Sequence, residues 1–240
     1  MHQALRYNRM PLKWEQVMTA LPECVELETG AQPTASVIWL HGLGADGHDF
    51  EPIVPELKLP GSLPVRFVFP HAPVRPVTLN NGYPMRAWFD IVKIGMHQPR
   101  DQAGMQVSCA MLETLIAREN ARGIPAARVV LAGFSQGGAV ALYTGLQYGE
   151  KLAGIMALST YLPLDGFALH TNSINSHTPI FYAHGTQDPV VPIQLAEHTR
   201  NELTTRGCSV IWHTYPMPHS MHPQEILHIR AWLLSVLPQA

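Results

Sequence analysis

Hydrophobic positions along the 240-residue chain fall into two kinds of run. Short β-branched or aromatic stretches that end in Gly, Pro or His predict strands at Ser36–His41, Arg66–Phe69, Arg128–Ala132, Gly154–Ser159, Ile180–His184 and Val210–Tyr215, with Val25–Glu28 as an edge strand. Longer stretches carry apolar residues at helical spacing, as Val107, Met111, Leu112 and Leu115 do, and predict helices over Asp101–Arg122, Gln136–Tyr148, Pro192–Arg206 and Pro223–Leu237. Pro192 and Pro223 suit the first turns of their helices, where the missing N–H costs nothing. This alternation is expected of an α/β fold, a mostly parallel sheet with helices on both faces, in a single domain spanning 1–240. Residues 70–100 show neither period and are rich in Pro, Gly, Asn and aromatic residues, so they are expected to form an irregular, lid-like excursion over one end of the sheet. A further helix is expected from Lys13 to Leu21.

Composition narrows the function classes. Hydrophobic residues make up 46% of the chain, enough for a full core. Charged residues make up only 14% and the net charge is −2, which excludes electrostatic nucleic-acid binding as the main activity. The low charge leaves room for self-association as a homodimer. No apolar run approaches the ~20 residues of a membrane-spanning helix, and the N-terminus lacks the pattern of a secretion signal. Cys24, Cys109 and Cys208 are scattered without the spacing of a disulfide scaffold or zinc site, so a reducing cytoplasm is the expected compartment.

The sharpest chemical signal is Gly133-Phe134-Ser135-Gln136-Gly137-Gly138, which follows the run Val129–Ala132 and precedes a helical stretch. A serine on such a strand-turn-helix is pushed into the cleft above the sheet, and the tight backbone demands small neighbours. A serine hydroxyl needs a base, and the base needs an orienting carboxylate. Asp188 follows one later strand and His219 the next, giving the order Ser, Asp, His at the carboxyl ends of strands; Asp165 is the rival acid. Two backbone N–H groups must then hold the oxyanion: Gln136 supplies one by position, and Leu43, in the loop His41–Gly47 after an early strand, is the candidate for the other. That loop lacks the glycine spacing and the Lys-Ser/Thr ending of a phosphate cradle. Thirteen histidines raise the question of a metal, but no His-Glu-x-x-His occurs, and the close pair His219 and His222 includes the expected base. Neither a metal nor a cofactor is expected.

With these residues in place, the chain resembles the carboxylesterase and acyl-protein thioesterase (phospholipase/carboxylesterase) branch of the α/β-hydrolases. His41-Gly42-Leu43-Gly44, Phe69-Pro70-His71-Ala72-Pro73, Met85–Asp90, Gly133–Gly138, Leu158–Pro163 and His184–Asp188 look like that family's motifs in its order. The resemblance implies an α/β-hydrolase fold, a Ser135–His219–Asp188 triad, oxyanion donors at Leu43 and Gln136, and hydrolysis of carboxylic esters or acyl thioesters. Its substrates would be small-molecule esters or acylated proteins and lipids. One departure is Pro218, where the family usually has glycine before the catalytic histidine. It fixes its own φ and pushes Met217 into an extended conformation, so a rebuilt histidine loop is expected.

Trp88, Phe89, Ile91, Ile94 and Met96 in the excursion, with Tyr161 and Leu162 after the strand that follows the nucleophile, are the candidates to line an acyl groove. An open groove of this composition is expected to take short to medium acyl chains. The competing readings are a peptidase or dienelactone-type hydrolase on the same fold, and a catalytically inactive hydrolase-fold binding protein.

Overall fold

A computed structural model describes residues 21–99, 101–162 and 174–237. Its strands are Cys24–Glu28 (β1), Ala35–Leu40 (β2), Val65–Pro70 (β3), Val74–Val77 (β4), Tyr83–Arg86 (β5), Val129–Phe134 (β6), Gly154–Leu158 (β7), Ile180–Gly185 (β8) and Val210–Tyr215 (β9). Its α-helices are Ile53–Glu56 (α1), Gln102–Ala121 (α2), Gln136–Gln147 (α3), Ile193–Thr205 (α4) and Pro223–Val236 (α5). All but the last residue of the expected Lys13–Leu21 helix, and the rival acid Asp165, lie outside the described residues.

Seven strands form one sheet in the order β1-β3-β2-β6-β7-β8-β9. The edge strand β1 runs antiparallel to β3, and every other pair is parallel. Continuous apolar runs such as Val37–Leu40 are explained by burial on both faces. Val37 and Trp39 join one core layer with Phe67, Phe181 and Trp232 of α5, while Ile38 and Leu40 join another with Leu112 and Leu115 of α2. A third layer sets Ile155, Ala157, Ile180 and Tyr182 against Ala196 and Leu203 of α4. Among the described residues no helix is long and apolar enough to cross a membrane.

The excursion departs from the sequence expectation by containing a hairpin. β4 and β5 pair antiparallel with Pro76 opposite Pro84. Proline breaks the alternation by which a strand is recognised, and it is tolerated here because a two-stranded ribbon needs few ladder bonds at that point. Side chains then pin the excursion to the sheet. The Arg86 guanidinium donates to the Ala72 carbonyl at 2.9 Å, and Asp101, the N-cap of α2, binds the Arg75 guanidinium at 3.0 Å and the Asp90 N–H at 2.8 Å.

Candidate active site

The carboxyl ends of β2, β6, β8 and β9 converge on Ser135. Between β6 and α3 this serine has φ +52° and ψ −118°, a left-handed conformation that a non-glycine residue holds only at a cost of roughly 1–3 kcal/mol. The turn is locked from both sides: Ser135 N–H donates to the Leu158 carbonyl at 2.8 Å, and Thr160 Oγ1 donates to the Ser135 carbonyl at 2.6 Å. A Cβ on Gly133 would stand 2.3 Å from the Gly137 backbone, and one on Gly137 would stand 2.6 Å from the Leu40 and His41 carbonyl oxygens. Only hydrogen fits there, so the glycines of the motif are required by packing.

His219 and Asp188 meet at this end of the sheet. His219 Nδ1 lies 2.6 Å from Asp188 Oδ2, while Asp188 Oδ1 accepts the N–H groups of Val190 and Val191, each at 2.8 Å. A carboxylate so held can only accept from His219, which places the ring proton on Nδ1 and leaves Nε2 as the basic nitrogen. The imidazole also packs against Phe134, the neighbour of Ser135, with ring centroids 4.7 Å apart. The loop containing Pro218 makes two tight turns, Met217 N–H to the Tyr215 carbonyl at 2.8 Å and Ser220 N–H to the Pro218 carbonyl at 2.9 Å. Met217 is buried beneath it, and its carbonyl accepts the Gln187 N–H at 3.2 Å, so the loops of Asp188 and His219 brace each other.

Leu43 follows β2, and a Cβ on the preceding Gly42 would lie 3.5 Å from Ser135 Cβ. The Leu43 N–H makes no hydrogen bond among the described residues. His41 shapes this loop: one ring nitrogen is 2.7 Å from the Gly42 carbonyl and the other accepts the Ala72 N–H at 3.0 Å. A carbonyl accepts and an amide donates, so the ring is neutral with its proton on Nδ1, and burial pushes its pKa down to about 4.

A cleft enclosing about 600 Å³ of space, partly open to solvent, runs from Ser135 and Gln136 under the excursion. Phe89, Ile91, Ile94 and Tyr161 line it, joined by Val92, Met105, Ala139 and Val191. Three expected groove residues do not. Trp88 is 2% exposed and belongs to the core, with its indole N–H on the His41 carbonyl at 2.9 Å. Leu162 is 1% exposed because its backbone is tied to Thr199 and its side chain turns into the layer under α4. Met96 falls off the lining because Gly95, at φ +147° and bonded to the Tyr161 hydroxyl, turns the chain after Ile94.

Gln136 carries a role that its sequence position did not reveal. Its side-chain oxygen accepts the Trp88 N–H at 2.9 Å and its amide donates to the Phe89 carbonyl at 2.7 Å, so the residue after Ser135 also grips the cleft wall. Thr160, inside the Leu158–Pro163 motif, likewise contributes by holding the Ser135 carbonyl.

Residues 22–237 match the phospholipase/carboxylesterase family. The chain is 41% identical over 226 residues to acyl-protein thioesterase 1 of Mycosarcoma maydis, covering 88% of this chain and 94% of that one. It is 43% identical over 219 residues to acyl-protein thioesterase 1 of Neurospora crassa, covering 87% and 89%. Among solved structures, Zea mays acyl-protein thioesterase 2 superposes with a TM-score of 0.78 at 28% identity over 90% of this chain and 99% of that one. Arabidopsis thaliana SOBER1 gives 0.76 at 30% identity over 85% and 99%. The architecture shared with these structures is the α/β-hydrolase fold.

Proposed function

As a member of the phospholipase/carboxylesterase family this chain is a hydrolase of esters and thioesters, and we propose that it works through an acyl-enzyme on Ser135. His219 Nε2 takes the serine proton as Oγ attacks the acyl carbon. The oxyanion that forms is received by the Leu43 and Gln136 N–H groups, where one donor is worth roughly 3 kcal/mol. Asp188 steadies the imidazolium, which then protonates the departing alcohol or thiol. Water enters, His219 takes its proton, and the free acid leaves with Ser135 regenerated. A thiol leaving group, with an ordinary pKa near ~8.5, departs with less help from this acid than an alcohol does.

The observation that carries the assignment is the 2.6 Å contact of His219 with Asp188, which leaves Nε2 basic on an imidazole packed against Phe134, the residue next to the strained Ser135. A peptidase or a bare binding protein has no comparable support. The apolar cleft is suited to short to medium acyl chains, and the names of the relatives direct attention to acylated proteins as donors. The test is Ser135→Ala. The folded variant should lose ester and thioester turnover together with labelling by a fluorophosphonate; retained turnover would remove Ser135 from the mechanism. A panel of acyl esters, acyl thioesters and peptides on the wild type should show hydrolysis of the first two only.

A further inference from the structure

One wall of the cleft beside Ser135 is a stretch of backbone, Trp88–Asp90, that belongs to no helix or strand. Its polar groups are held by side chains instead. The Trp88 carbonyl accepts from the Ser108 hydroxyl and, at 3.2 Å, from the Arg75 guanidinium, while the Asp90 N–H donates to Asp101 at 2.8 Å. The Trp88 N–H and the Phe89 carbonyl are both taken by Gln136. An N–H can only donate and a carbonyl can only accept, so the two bonds fix which end of the Gln136 amide is oxygen and which is nitrogen. A primary amide carries the donor and the acceptor of a peptide group, and here it stands where a neighbouring strand would otherwise pair. Gln136 is 4% exposed, so a partner lost at this point is not replaced by bulk water.

The place of Gln136 in the chain gives this grip a consequence. It opens α3 directly after Ser135, and its backbone N–H is the donor assigned above to the oxyanion. One residue therefore spans from the reacting carbonyl to the wall, with its N–H at one end and its side-chain amide at the other. Phe89 and Ile91 line the cleft from that wall. An acyl chain lying against them gains from a wall held close, whereas an acetyl group is too short to gain much.

We propose that the Gln136 side chain is a specificity determinant of the acyl cleft: it sets how far the Phe89 wall stands from the reacting carbon, and so how tightly the chain of a bound ester is packed. The inference rests on the reading of this cleft as the acyl site. The side chain itself exchanges no proton with substrate and acts through the wall it positions.

The test reads a ratio, kcat/KM for an octanoyl ester over kcat/KM for an acetyl ester of the same alcohol, from pH 5 to 9. Both substrates need the same folded enzyme and a neutral His219, so that titration and any unfolded fraction cancel. Gln136→Met fills the space without a donor or an acceptor of comparable strength, and its ratio should fall about 10-fold below wild type at every pH, the worth of one to two methylenes. Gln136→Glu separates hydrogen bonding from packing. Ionised, it turns a carboxylate on the Phe89 carbonyl, and its ratio should be as low as that of the methionine variant. Protonated, its O–H donates to Phe89 while its other oxygen accepts the Trp88 N–H, as the native amide does. Burial favours the protonated form, so the ratio should climb toward wild type as pH falls to 5. Asp90, Lys93 and Asp101 also border the cleft, and wild type measured in parallel removes their titration. A wild-type ratio in folded Gln136→Met, or a Gln136→Glu no better than Gln136→Met at pH 5, overturns the proposal.

Should neither variant fold, the wild-type protein still decides. The 15N shift of the Gln136 side-chain amide should change more when Ser135 carries an octyl phosphonate than when it carries a methyl phosphonate, and equal changes overturn the proposal. Ile94→Trp separates the two readings. If it leaves the ratio at the wild-type value, the acyl chain lies elsewhere and the reading of the cleft falls together with this one. If it moves the ratio and Gln136→Met does not, only the present inference falls.

Discussion

Burial moves the protonation of individual side chains in opposite directions, and each shift has its own pH window. His41 titrates near 4 in the folded protein against an ordinary value of 6.5. The unfolded chain therefore takes up the proton first as pH falls, and the stability tied to neutral His41 is lost from about 6.5 down through 4. Glu225, at the third position of α5, behaves conversely. It is buried, one carboxyl oxygen accepts the His222 N–H at 3.1 Å, the other has no partner among the described residues, and burial pushes its pKa from 4.5 up to about 7. Its contribution is full below 4.5 and is lost as pH rises through 7, so above neutrality the charged form burdens the fold. Glu225→Gln keeps the capping acceptor and removes the titration. Urea unfolding should show the variant more stable than wild type at pH 8, by up to about 3 kcal/mol, and little changed at pH 4. Equal offsets at both pH values would refute the assignment.

At the scale of elements, the turn from β6 into α3 is where packing leaves least freedom. Gly137→Ala places a methyl against two backbone carbonyls that cannot retreat without breaking β2. It should destabilise by more than about 2 kcal/mol, whereas Gly149→Ala, with nothing within 4 Å, should be near neutral; melting of both variants decides this. These elements also show what the sequence discloses. Strands β2, β3, β6, β7 and β8 are legible because burial makes their apolar runs continuous, β9 because its residues are β-branched or aromatic, and the Ser135 turn because its glycines are forced. The β4–β5 hairpin is hidden by Pro76 and Pro84, and α1 is too short to display a period. The cleft lining is legible only in part. Which of Trp88, Phe89, Ile94, Met96 and Leu162 reaches the cleft depends on chain reversals at Gly95 and on ties such as Leu162 to Thr199, and neither leaves a periodic trace.

For the molecule as a whole, the cleft beside Ser135 is the proposed acyl site, and its lining is expected to set which substrates are turned over quickly. Ile94 lines it and Trp88 does not, so the two positions should give different phenotypes. Ile94→Trp fills part of the groove and should move the optimum of kcat/KM to shorter acyl esters, each excluded methylene weakening the preference by about fourfold. Trp88→Ala should lower the melting temperature by loss of core and leave the chain-length profile of the folded fraction in place. An unchanged profile in Ile94→Trp would show that the acyl chain lies along another surface.

The grip of Gln136 on Trp88 and Phe89 bears on how the enzyme meets lipid aggregates. A cleft wall hydrogen-bonded to the residue after Ser135, and tied again through Asp101 and Arg75, cannot swing away as a hinged cover without breaking several bonds together. Enzymes whose sites are uncovered by a lipid surface respond to micelles with an abrupt gain in rate; a site whose mouth is permanently formed has no such gain to make. Hydrolysis of a soluble acyl ester should therefore saturate with monomer concentration and pass smoothly through the critical micelle concentration, and a jump there would mean that the wall opens after all.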